Sequence, residues 1–367
     1  MKKSIAVLVT LLFVLIGMKA QNINENFEKW IVEEKPINIT GIDLSPNGKE
    51  VALVCGKNTP LKIYDLASQT VVKEIDVKAQ YMGYNVHYSK GGKYLLIQER
   101  VFETSAKKAK KSDYHIVDLA SGKMIHKFNK ISDAKISPDE SKVFVMEKDK
   151  LDIRELPSGK VLKQIELERG RNAMAISPDG KDLAVVVKPT KDELKEISVV
   201  RNDKKALKAA LKFRFAIAIF DAESLERTKM VNDIYDNINQ LWFSQDGSKL
   251  MCFNVGANSY VNVIDAANYQ PTREGYVSRT SMQPDFGYGW DNKYFGISTV
   301  EKWPSLNIYD VSRASVIDFY NTEMKIFKNM KKKVYPGTNT SFVFLPDQRH
   351  VLIAYGNTLI KWKINKK

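Results

Sequence analysis

The stretch Ala173-Met174-Ala175-Ile176-Ser177-Pro178-Asp179-Gly180-Lys181-Asp182-Leu183-Ala184-Val185-Val186-Val187 sets two apolar runs on either side of one tight turn. Pro178 pre-sets φ, Asp179 can accept hydrogen bonds from its own turn backbone, and Gly180 supplies the left-handed corner. The same arrangement recurs along the chain. It reads Ser45-Pro46-Asn47-Gly48-Lys49, Ser89-Lys90-Gly91-Gly92-Lys93, Ser137-Pro138-Asp139-Glu140-Ser141-Lys142 and Ser244-Gln245-Asp246-Gly247-Ser248-Lys249. Degenerate forms follow at Trp290-Asp291-Asn292-Lys293 and Leu345-Pro346-Asp347-Gln348-Arg349, giving seven copies in all. The aspartates are read as turn structure, not as metal ligands or catalysts.

A second pattern follows the first. An alternating strand ends in an acid at Asp65, Asp118, Glu155, Asp221, Asp265 and Asp310, and the seventh copy, Lys361-Trp362-Lys363-Ile364, lacks the acid. Small-residue turns such as Ala120-Ser121-Gly122-Lys123 come next. An acid repeated once per unit is scaffold, accepting N–H bonds in the turn that follows it. Each unit is then four short strands, a to d, and such units at this period imply a β-propeller. The repeated turn and the Tyr-Asp-Leu strand end resemble the WD-repeat and YVTN families of seven-bladed propellers. The resemblance runs over nearly all of residues 21–367, although the Gly-His and Trp-Asp signatures are absent. It implies an all-β, seven-bladed ring of four-stranded blades. The seventh unit lacks a d strand, and Phe27–Val32 alternates as a strand would. We expect it to pair with the last blade as its outer strand and close one domain over residues 21–367.

Residues 1–20 read as a secretory signal peptide: Lys2 and Lys3, an apolar run from Ile5 to Ile16, then Gly17-Met18-Lys19-Ala20. The apolar run is too short to span a bilayer as a helix. The expectation is cleavage after Ala20 and a periplasmic or secreted protein, and that compartment argues against nucleic acid as a partner. Composition is that of a folded chain, 44% hydrophobic and 27% charged, with a net charge of +14. Cys55 and Cys252 fall in units 1 and 5, too far apart around a ring to bridge. The histidines, His87, His115, His126 and His350, have no metal-ligand spacing, and no nucleophile elbow, P-loop or dinucleotide fingerprint occurs. No cofactor is called for.

The units are unequally spaced. Positions 47, 91, 139, 179, 246, 291 and 347 are separated by 44, 48, 40, 67, 45 and 56 residues. The extra length is basic: residues 102–113, 188–214 and 323–333 carry net charges of +2, +5 and +4. The first two are read as b–c loops and the third as a d–a connection, which would gather all three on one face. Within 188–214, Asn202–Lys212 has helical spacing, with Asn202 or Asp203 as a cap. The candidate binding residues are Lys107, Lys108, Lys110, Lys111, Arg201, Lys204, Lys205, Lys208, Lys331, Lys332 and Lys333, with Tyr84 and Trp303 as aromatic anchors. Tyr81, Tyr235 and Phe327 are expected on the same face.

Three function classes fit these residues. The favoured one is a non-catalytic, monomeric binding propeller whose basic face holds a protein or an acidic polymer. The second is a channel-centred enzyme of the lactonase or quinoprotein-dehydrogenase type, with Asp43, Asn85, His87, Asp133, Asn172, Asn239 and Asp285 near the channel. That reading rests on fold analogy. The third is a structural module of a larger assembly.

Overall fold

A computed structural model describes residues 27–363 except 35–36, 57–58, 78–83, 100–110, 148, 168–172, 197, 214, 256–258, 278–285, 289–293, 303–312, 322–331, 335–340 and 348. The signal-peptide reading lies outside the described residues. The strands form seven four-stranded antiparallel sheets. Strand β1 (Phe27–Ile31) comes first in the chain. Sheet 1 holds β2 (Ile39–Leu44), β3 (Glu50–Cys55), β4 (Leu61–Asp65) and β5 (Thr70–Ile75). Sheet 2 holds β6 (Tyr84–Tyr88), β7 (Tyr94–Glu99), β8 (Ser112–Asp118) and β9 (Lys123–Ile131). Sheet 3 holds β10 (Asp133–Ile136), β11 (Lys142–Met146), β12 (Lys150–Glu155) and β13 (Val161–Glu166).

Sheet 4 holds β14 (Met174–Ile176), β15 (Asp182–Val187), β16 (Phe215–Asp221) and β17 (Arg227–Asp236). Three short helices, α1 (Lys191–Glu196), α2 (Ser198–Arg201) and α3 (Lys204–Phe213), interrupt it between β15 and β16. Sheet 5 holds β18 (Ile238–Phe243), β19 (Lys249–Val255), β20 (Ser259–Asp265) and β21 (Gln270–Val277). Sheet 6 holds β22 (Phe286–Tyr288), β23 (Tyr294–Lys302), β24 (Arg313–Asn321) and β25 (Lys332–Val334). Sheet 7 holds β26 (Phe342–Phe344), β27 (His350–Tyr355) and β28 (Thr358–Lys363), with β1 as its outer strand. In that sheet Phe27 pairs with Trp362 and Ile31 with Thr358.

The middle strands are continuous apolar runs because both of their faces are buried. In β3, Val51, Leu53 and Cys55 pack toward Val343, Leu352 and Leu359 of sheet 7. Ala52 and Val54 pack the other way, toward Val86, Leu95 and Ile97 of sheet 2. Sheet 1 is thus a layer between two neighbours, and trimming such a side chain, Leu53→Ala for example, costs about 2–5 kcal/mol. Outer strands are wetter: Val161 and Leu162 of β13 are 45% and 48% exposed.

The a–b turns also interlock. The left-handed Gly48, at φ 71°, lies against Pro346 of sheet 7, and a Cβ there would stand 2.5 Å from Pro346 Cγ. Pro46, Pro138 and Pro178 pack in the same way on Gly92, Gly180 and Gly247 of the next turn. The expected turn chemistry is present. Asn47, Asp139, Asp179 and Asp246 each accept a backbone N–H two residues on, at 2.9–3.2 Å. Asp65, Asp118 and Asp221 accept N–H groups of Ser68, Ser121 and Ser224 at 2.6–2.7 Å.

Sheet 6 corrects one expectation. The anticipated third strand at Ile308–Val311 lies outside the described residues, and β24 supplies the third strand instead. Its Val316, Ile317, Phe319 and Tyr320 favour a strand and match the length of β23. The 323–333 run therefore falls between the third and fourth strands, not in a d–a connection. Lys332 and Lys333 belong to β25 and pair with Ile317 and Val316. Asn321, from which the run departs, pairs with Tyr294 at the a–b end of the sheet. The third run leaves from the end opposite the b–c connections, because the c–d and b–c turns of a meander lie at opposite ends. The 102–113 run is also shorter than expected: Ser112 and Asp113 are buried in β8.

Candidate binding face

The insert between β15 and β16 begins with a capping box. The Glu193 carboxylate accepts the Thr190 N–H at 2.7 Å, and Thr190 Oγ1 accepts the Glu193 N–H at 3.2 Å. Arg227 of β17 pairs with Glu193 at 2.9 Å and ties α1 to its own sheet. The Lys188 ammonium stands 4.9 Å from the centre of the Phe215 ring at the other end of the insert. Leu194, Val200 and Ala210 are buried together, with Leu207 and Leu211 packed against them. The insert is a small folded unit with its own apolar centre.

The expected basic helix is present as α3, one to two residues later than its sequence reading. Asp203 is its cap and accepts the Lys205 and Ala206 N–H groups at 2.8 and 3.0 Å. Sequence reasoning missed α1 and α2. The Thr190-Lys191-Asp192-Glu193 box was the available signal for α1. Arg201 donates to the Lys195 and Glu196 carbonyls at 2.9 and 3.2 Å, so it closes the end of α1. Lys204, Lys205 and Lys208 are exposed, and among the described residues none is in an ion pair. The acids beside them are engaged: Asp192 with Lys195 at 2.7 Å, Glu193 with Arg227, and Asp203 with the helix N-terminus.

The other candidates are more scattered. Lys111 is exposed just before β8, on a b–c connection like that of the helical insert. Lys107, Lys108, Lys110, Lys331 and Trp303 lie outside the described residues, as do Tyr81 and Phe327. Tyr84 opens β6 opposite Glu99, and Tyr235 lies in β17. The structure brings Arg201, Lys204, Lys205 and Lys208 together and does not bring Lys332 and Lys333 to them.

The carboxylates expected near a central channel have a different task. Asp43 Oδ2 in sheet 1 accepts the Tyr88 N–H of sheet 2 at 2.7 Å. Asp133 Oδ2 in sheet 3 accepts the Met174 N–H of sheet 4 at 2.8 Å, and its Oδ1 takes the Tyr114 hydroxyl at 3.0 Å. Ser341 Oγ in sheet 7 accepts the Ile42 N–H of sheet 1 at 2.9 Å. These side chains fasten one sheet to the next, each bond contributing about 0.5–1.5 kcal/mol. Asn85 and Asn239 are buried, and Asn172 and Asp285 lie outside the described residues. His87 is exposed, 4.0 Å from Asp43, whereas His115 is buried 2.7 Å from Glu99, so the two histidines engage different carboxylates. Among the described residues no helix is long and apolar enough to cross a membrane.

No protein-family model matches the sequence, and no curated protein matches it. Solved structures do. The β-propeller domain of Cps50 (Swd1) from Myceliophteria thermophila superposes with a TM-score of 0.61 at 12% identity, over 91% of this chain and 98% of that one. Hydrazine synthase of Kuenenia stuttgartiensis superposes with a TM-score of 0.57 at 13% identity, over 92% and 98%. The chain has a β-propeller fold, as the repeated turns implied. At these identities the likeness concerns the fold alone.

Proposed function

We propose that the protein is an exported, non-catalytic binding propeller, a single ring of seven blades closed by β1, that holds a protein or an acidic polymer on its helical insert. The observation that carries this reading is the insert itself. It is a separately packed unit, braced to a rigid sheet by Arg227, with Lys204, Lys205 and Lys208 exposed and in no ion pair among the described residues. Long loops on a rigid scaffold are where binding function concentrates. The contacts of β2 with both β6 and β26, and the seat of Gly48 on Pro346, support a closed ring. Residues 1–20 support export and a periplasmic or secreted location.

The channel-enzyme reading loses ground because Asp43 and Asp133, two of its candidate oxygens, are bonded to neighbouring backbone. The test is capture from envelope extract with the chain from Gln21 onward, beside a version in which a short Gly-Ser turn replaces 188–214. A partner kept by the first and lost by the second supports the reading. No partner for either, with both folded, overturns it.

A further inference from the structure

We propose that the cleft between the turns of sheets 1 and 2 is a binding site for a phenol group, whose hydroxyl donates to the Glu50 carboxylate. The cleft lies at the a–b end of the sheets, away from the b–c connection that carries the helical insert, and the proposal does not depend on the insert's role. Its volume is about 500 Å³, and Glu50, Ile63, Val72, Tyr88 and Leu119 are among its walls. A second cleft of the same construction, about 570 Å³, lies between sheets 4 and 5 with Asp182 as its acid. Glu50 and Asp182 are equivalent. Each donates its N–H, at 2.9 Å, to the serine that opens its turn. Sheets 2, 3 and 5 have Tyr94, Lys142 and Lys249 at this position. Asp182 Oδ2 accepts the Tyr269 hydroxyl from the next sheet at 2.5 Å. Tyr269 stands in a c–d turn at φ 57°, its N–H bonded to the Asp265 carbonyl at 2.7 Å. The equivalent residue beside Glu50 is Gly122, at φ 65°, its N–H bonded to the Asp118 carbonyl at 2.9 Å.

Glu50 thus lacks the donor that its counterpart has. It is half-buried, and among the described residues its carboxylate is in no ion pair and accepts no hydrogen bond. Asp65 stands opposite it in β4, with its own carboxylate taken up by the Ala67 and Ser68 N–H groups. The surrounding groups select the occupant. Tyr88 stands where sheet 5 has Phe243, and its hydroxyl is buried without a partner. Burial, and after it the charge of Glu50, raise the Tyr88 pKa, so this wall stays neutral. Lys73 also lines the cleft, but its ammonium donates to the Leu119 carbonyl and not to Glu50. A cationic ligand would meet Lys73, and an anionic one would meet Glu50. A neutral hydroxyl on an apolar ring meets neither objection, and Tyr269 shows that an acid at this position accepts one. A Cβ at Gly122 would stand 3.3 Å from Lys73 Cε, so a flexible stem and not backbone borders the room there.

The experiment titrates the chain from Gln21 to Lys367 with N-acetyl-tyrosinamide and N-acetyl-phenylalaninamide, which differ by the hydroxyl alone, and reads binding by ligand-detected NMR. The tyrosine amide should bind about tenfold more tightly or better, the share of a hydrogen bond to a charged group. A site that pairs a ligand hydroxyl rejects the analogue without it. E50A should bring the two amides within about twofold of each other. G122Y should supply the hydroxyl from within, as Tyr269 does, and close the site to both. Circular dichroism checks the fold of each variant, and if G122Y fails to fold, E50A decides alone. A free phenol and a tyrosine of a partner protein share this chemistry, and p-cresol and the peptide Gly-Gly-Tyr-Gly-Gly tell them apart. Tighter binding of p-cresol supports the site with a free aromatic as its ligand, and tighter binding of the peptide supports it with a protein segment. No binding of any of these probes, equal affinity for the two amides, or a preference that survives E50A would overturn the proposal.

Discussion

The carboxylate of Glu140 fills the place that Gly91 leaves empty. In the turns of sheets 1, 3, 4 and 5 the leading serine donates to the side chain two residues on, Ser45 to Asn47 and Ser137, Ser177 and Ser244 to Asp139, Asp179 and Asp246, at 2.5–2.7 Å. Sheet 2 has Gly91 at that position. Glu140, from the turn of sheet 3, reaches across to accept the Gly91 and Lys93 N–H groups at 3.0 Å each, and the Ser89 hydroxyl as well. Glu140 in turn sits at φ 60°, where other turns carry glycine. Two departures from the repeat compensate for each other across a sheet boundary.

Glu140→Gly should therefore destabilise the protein by about 1–2 kcal/mol, the loss of shared charge-assisted bonds outweighing the relief at φ 60°. Gly91→Asp alone should also destabilise, because a Cβ at Gly91 would stand 2.6 Å from Glu140 Oε2. The double variant restores the common turn and should recover most of the loss. Denaturant unfolding of the four proteins checks this. Simple additivity of the two single effects would refute the coupling.

Lys62 lies 2% exposed between sheets 1 and 7, paired with Glu33 at 3.1 Å and with Glu74. Burial lowers its pKa, but the hydrogen bonds to Glu74 and Glu33 outweigh burial and hold it above the ordinary lysine value. A raised pKa contributes stability below the unfolded-state value, and that contribution is lost as pH rises through the folded one. Glu33→Gln with Glu74→Gln should remove this alkaline-sensitive share. It should also speed hydrogen exchange at β1 before the rest of the fold responds, since Glu33 follows that strand.

Stability should fall on acidification below about pH 4. Backbone N–H groups of Ser68, Ser121 and Ser224 hold Asp65, Asp118 and Asp221 below the usual carboxylate value. The hydroxyls of Ser137 and Ser177 do the same for Asp139 and Asp179. A lowered pKa contributes stability above the unfolded value and loses it as pH falls through the folded one. Thermal melts from pH 7 to pH 3 should show the decline. Asp65→Asn with Asp118→Asn should make it shallower.

Cys55 and Cys252 are free and buried, and burial pushes Cys55 up to about 12 and raises Cys252 further. Thiolate, the reactive form, is scarce at both near neutral pH. A colorimetric thiol reagent at about pH 8 should leave the folded protein unlabelled and modify both thiols in denaturant. Rapid labelling of either without denaturant would contradict the burial.

The turns were legible in the sequence because their chemistry is local: Ser177, Pro178, Asp179 and Gly180 act on one another. Features that depend on the neighbouring sheet were not. Asp43 and Asp133 resemble channel ligands until the Tyr88 and Met174 N–H groups are seen opposite them. Lys73, His126 and Lys229 each follow a strand-end acid by the same interval, which is visible in the sequence. That they donate to the Leu119, Pro157 and Asn268 carbonyls of the next sheet is not visible there. Helix α1 has one fully buried side chain, Leu194, too few to set up a periodic signal. Ile308-Tyr309-Asp310-Val311 carries the apolar and acidic pattern of the other strand ends, yet the third strand of sheet 6 is Arg313–Asn321.

The pairing of Phe27 with Trp362 joins residues near opposite ends of the sequence in one sheet. A ribosome, or any pore that passes the chain from its N-terminus, releases the first partner long before the second. Sheets 1 to 6 can assemble as they emerge, but sheet 7 has to wait for its last strand, and until then β1 is an unpaired edge. The N-terminal strand is thereby committed to the fold only after β28 has been delivered. Contacts this distant in sequence also slow the final step, so the last event in folding should be the meeting of the two ends.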